Sequence, residues 1–105
     1  MNARDPNLPL QAGEAEDLRA FAARTWDEEI VPALTDYIAI PAKSPMFDPD
    51  WERRGLIERV VRDAAAWVER KQVAGLKLEV IRLPGRTPVI FFEVPATRSG
   101  GADTV

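Results

Sequence analysis

The chain has 105 residues, room for one domain at most, and its 46% hydrophobic and 30% charged content predicts a folded chain rather than a disordered one. A net charge of −3, from 17 acidic and 14 basic residues, argues against a general nucleic-acid binder or an anionic-membrane binder. Cysteine and histidine are both absent, so no disulfide, thiol nucleophile, Ser-His-Asp triad or zinc site of the usual composition can be built from these residues.

Residues 1–13 carry Pro6, Pro9 and Gly13 and read as an irregular arm; residues 14–105 read as the domain proper. No apolar run reaches the ~20 residues needed to span a bilayer, and the first residues lack the apolar core of a signal peptide, so a cytoplasmic protein is expected.

A helical pattern starts near Glu14. Leu18, Phe21, Ala22, Trp26, Ile30, Leu34, Tyr37 and Ile38 recur at steps of three and four and share one face. Glu14, Glu16 and Asp17 suit the first turn, where the helix dipole favours acid. Pro32 interrupts the pattern, because a proline inside a helix removes a donor and crowds the preceding turn at a cost of ~3 kcal/mol. Thr25 and Glu28 have capping-box spacing, which would suit two helices. The apolar face keeps its phase across the proline, which favours one helix kinked at 28–32 and ended by Pro41.

A proline-rich loop, PAKSPMFDP, follows over residues 41–49. Asp48 as N-cap and Pro49 at the first helical position predict the start of a second helix. Its apolar stripe is Leu56, Ile57, Val60, Val61, Ala64, Trp67 and Val68; Arg53, Arg54, Glu58, Arg59, Arg62, Glu69 and Arg70 cover the other side. Gly75 is the expected terminator. The period then changes from 3.6 to 2. Residues 76–83 form a half-buried strand near a sheet edge, with Lys77 and Glu79 on the polar side. Residues 89–94, VIFFEV, are apolar on both faces apart from Glu93, as in a strand inside a sheet covered on both sides. Thr104 and Val105 read as the start of a third β element. The α/β order is thus helix, helix, strand, strand and the start of a strand, and it leaves the second strand short of one neighbour.

Each candidate for chemistry has a plainer reading. The carboxylate pairs Glu28–Glu29 and Asp48–Asp50 suit acid/base or metal-binding work, but also helix capping and dipole compensation, which is preferred. Lys43–Ser44 has the residue types of a Ser/Lys nucleophile pair, but adjacent side chains seldom face one another. RSGGAD, 98–103, lacks the phosphate-loop pattern and reads as a turn. Trp26 and Trp67 fit a core better than a base-stacking platform, and Trp51 reads as an anchor for the proline-rich loop. Arg53, Arg54, Arg59 and Arg62 alternate with acids, as on a salt-bridged face. No residue is therefore assigned a catalytic, cofactor-binding or metal role.

The detailed string carries a resemblance. Tyr37-Ile38-Ala39-Ile40-Pro41, Ser44-Pro45, Phe47 and Trp51, then Gly85-Arg86-Thr87-Pro88 and Phe91-Phe92-Glu93-Val94-Pro95, span about residues 25–105. Together they resemble the N-terminal part of the zinc-dependent dipeptidase family, which includes carnosinase-like dipeptidases, acetylornithine deacetylase, succinyl-diaminopimelate desuccinylase and aminoacylases. The resemblance implies a three-layer α/β/α catalytic domain. It also implies two zinc ions in the full-length protein, a homodimer, and a dipeptide or N-acyl amino-acid substrate. The family's His-x-Asp motif, bridging Asp, Glu pair and late His have no counterpart in these residues. In the family, the strand after the segment matching residues 93–97 leads into His-x-Asp, so the chain is expected to be the start of such a domain, inactive alone and completed by the rest of it. A stand-alone interaction module pairing through its open sheet edge is the alternative.

Overall fold

The computed structural model describes residues 8–96. The chain divides into two units, Met1–Ala39 and Ile40–Val105, each built by its own local rules.

The first unit is helical from Ala12 to Ala39: α1 (Ala12–Thr25), a π turn (Trp26–Ile30) and α2 (Val31–Ala39). The helix starts two residues before the expected Glu14. Glu14 reaches back so that its Oε2 accepts the Gln11 N–H at 3.3 Å, satisfying a donor that the helix start leaves open. Thr25 does not cap a second helix; its φ of −60° and ψ of −41° are helical. The expected kink is a widened turn, in which the Val31 N–H donates to the Trp26 carbonyl five residues back. Pro32 accounts for it, since its ring needs space in the preceding turn and it brings no N–H. Thr35 adds a hydroxyl bond to the Val31 carbonyl at 2.8 Å. Leu18, Phe21, Trp26, Leu34 and Tyr37 share the apolar side and remain exposed. Trp26, 51% exposed, is therefore not the core residue its position in the stripe suggests.

The second unit departs from expectation at its first helix. Asp48 is not an N-cap. Asp50 holds that position for α3 (Trp51–Arg54), and Gly55, at φ +68°, then separates α3 from α4 (Leu56–Arg70). Only glycine takes that left-handed conformation at no steric cost, which is why the helix breaks there. The predicted α4 stripe holds: every member is half-buried or buried, and Val61 and Ala65 are the buried hydrophobics among the described residues. The helix ends before Gly75. Gln72 adopts the left-handed conformation at φ +50°, and Gly75, at φ +78°, belongs to a turn closed by the Leu76 N–H on the Val73 carbonyl.

Two strands follow, β1 (Lys77–Ile81) and β2 (Val89–Glu93), shorter than the expected 76–83 and 89–94. Pro84 and Gly85 occupy the central positions of a turn between them. Gly85 has φ +71° and the Arg86 N–H donates to the Leu83 carbonyl at 3.1 Å, as a type II turn requires. The strands pair antiparallel, with Leu78 opposite Phe92, Val80 opposite Ile90, Glu79 opposite Phe91 and Ile81 opposite Val89. This register puts Leu78, Val80, Ile90 and Phe92 on one face, and α4 packs against both strands. Leu78, Val80 and Ile90 are half-buried there. Ile81, Val89 and Phe91 lie exposed on the other face beside Lys77, Glu79 and Glu93.

The unit is a small mixed structure of helices and a two-stranded antiparallel sheet, compatible with an α/β class. The strand expected in a sheet interior has one paired edge and one covered face, because no third strand exists among the described residues. Thr104–Val105, expected to begin one, lie outside them. No helix among the described residues is long and apolar enough to cross a membrane.

Candidate functional site

The carboxylates that drew attention in the sequence are largely committed to local structure. Asp48 is buried at 6% exposure. Its Oδ1 accepts the Asp50 N–H at 3.2 Å and lies 3.5 Å from the Arg54 Nε. Asp50 pairs with Arg53 at 2.8 Å. The pair therefore holds the turn into α3 through the Asp50 N–H and the two arginines; Asp50, at the N-cap position, makes no side-chain cap bond. Glu28 and Glu29 lie on the π turn. Lys43 and Ser44 are exposed in the loop, where the Ser44 carbonyl accepts the Phe47 and Asp48 N–H groups at 2.9 and 3.1 Å. Ser44 thus serves the turn through its backbone carbonyl.

The arginine strip is salt-bridged, as its alternation with acids predicts: Arg53 and Arg54 hold Asp50 and Asp48, and Arg59 lies 3.9 Å from Asp63. Trp67 is half-buried on α4 with the Lys71 ammonium 4.5 Å from its ring centroid, and Trp51 is half-buried in α3. RSGGAD lies outside the described residues.

One charged contact was not legible in the sequence. Arg82, just past β1, clasps Glu58 on α4: its Nε lies 3.1 and 3.2 Å from the two carboxylate oxygens, and Nη2 also donates to Oε1. The partners are 24 residues apart, so no helical or strand spacing announces them. The hydrogen bonds from Arg82 hold the Glu58 carboxyl below its ordinary range; desolvation opposes this, and the charges of Arg82 and Arg62 assist. The same bond raises the Arg82 guanidinium further above its already high range. Because the folded-state value of Glu58 is depressed, its contribution to stability is present above the unfolded value, about 4.3, and is lost as pH falls through the folded value. We predict that Glu58→Gln melts lower than the parent at pH 7, and that the gap closes on acidification below the carboxylate range. A gap that stays constant from pH 7 to pH 3 would show that the clasp contributes no proton linkage.

No group of three or more His, Cys, Asp or Glu side chains among the described residues can hold a metal ion. With histidine and cysteine absent, the donor set does not fit the two zinc ions that the family resemblance implies. What the described residues leave uncovered is the outer edge of β2, with Val89 and Phe91 of β2 and Ile81 of β1 exposed on the face turned away from α4. No protein-family model matches the chain, and no curated protein matches it.

Proposed function

We propose that residues 14–105 form the N-terminal part of the catalytic domain of a metal-dependent amide- or peptide-bond hydrolase of dipeptidase or deacylase type, in a cytoplasmic protein. The observation that carries the reading is β2, which is apolar on both faces yet, among the described residues, has one covered face and one paired edge. Such a strand suits a larger sheet with a layer on each side, the three-layer α/β/α arrangement of the family that the residues at 37–51 and 85–95 resemble. In this reading α4 is part of one layer, and the rest of the domain supplies the other layer, the next strand and every metal ligand. This segment is scaffold; no step of the hydrolysis is assigned to its residues.

A second reading draws on the same open edge: a small interaction module that takes a strand from another chain. A metal-supplemented assay of the 105-residue chain against dipeptides and N-acyl amino acids tests the scaffold role. The expected result is no turnover and no stoichiometric zinc; zinc-dependent hydrolysis by this chain would overturn it.

A further inference from the structure

We draw no further inference here: the strongest candidate, the exposed apolar side of the helix from Ala12 to Ala39 with Leu18, Phe21, Trp26, Leu34 and Tyr37, is an unpartnered face, and nothing in the structure shows what covers it.

Discussion

Ala65→Asp is expected to abolish the cooperative thermal transition of residues 40–96. Ala65 and Val61 are one helical turn apart on α4, and they are the buried hydrophobics on which the small core rests. An aspartate there would either carry a charge away from water without a partner or be protonated at a cost in pKa, a penalty of several kcal/mol in proteins. Domains hold only about 5–15 kcal/mol in total, and small ones sit at the low end because they bury a smaller share of their surface. Glu69→Ala, on the exposed side of the same helix, should change stability by no more than about 0.5 kcal/mol. Thermal melts followed by near-ultraviolet dichroism separate the two. A cooperative melt in Ala65→Asp at the parent temperature would show that α4 does not pack on the sheet through this position.

The second large effect is expected at Asp48. Its carboxylate accepts the Asp50 N–H and faces Arg54 while being nearly inaccessible. Asp48→Ala leaves that donor without its acceptor and should destabilise the second unit by about 1–3 kcal/mol. Asp48→Asn keeps an acceptor oxygen and gives up the charge, so it should recover part of the loss. Urea melts of the three proteins give the ordering directly: parent, then Asn, then Ala. Equal stability of the Asn and Ala variants would assign the whole effect to the Arg54 pair rather than to the turn.

These two sites differ in how far the sequence exposes them. The α4 stripe follows from spacing alone, because an amphipathic helix must turn its apolar residues toward something. The continuity of the first helix across Pro32 is also legible, since an apolar face that keeps phase implies a helix that bends without breaking. The π turn is the local form that this bend takes. Asp48 is different. Asp-Pro before a helix has two good local uses, and the one taken depends on Gly55, seven residues on, which stops α3 and lets Arg54 fold back. Gln72 illustrates a similar limit: the glycine at 75 is the better left-handed residue, but it is needed in the turn that approaches Pro95, whose ring carbons would lie 3.3 Å from a Cβ there. The Glu58–Arg82 clasp depends on the sheet meeting α4, which no local pattern encodes. Strand β2 is the instructive case. Its two apolar faces predict an interior position, yet interior position belongs to a neighbourhood, and the described residues provide half of one.

The uncovered half connects the functional readings. An apolar edge and face are a hazard unless something occupies them. In the scaffold reading a larger catalytic domain does so with its next strand and second layer; in the module reading a strand from another chain does. The measurement that tests the central claim most directly is the coding sequence immediately after Val105. The scaffold reading predicts an apolar strand that ends in a His-x-Asp motif within about ten residues, roughly one strand and its turn. A stop codon at that point, or a continuation without such a strand and motif, would contradict it.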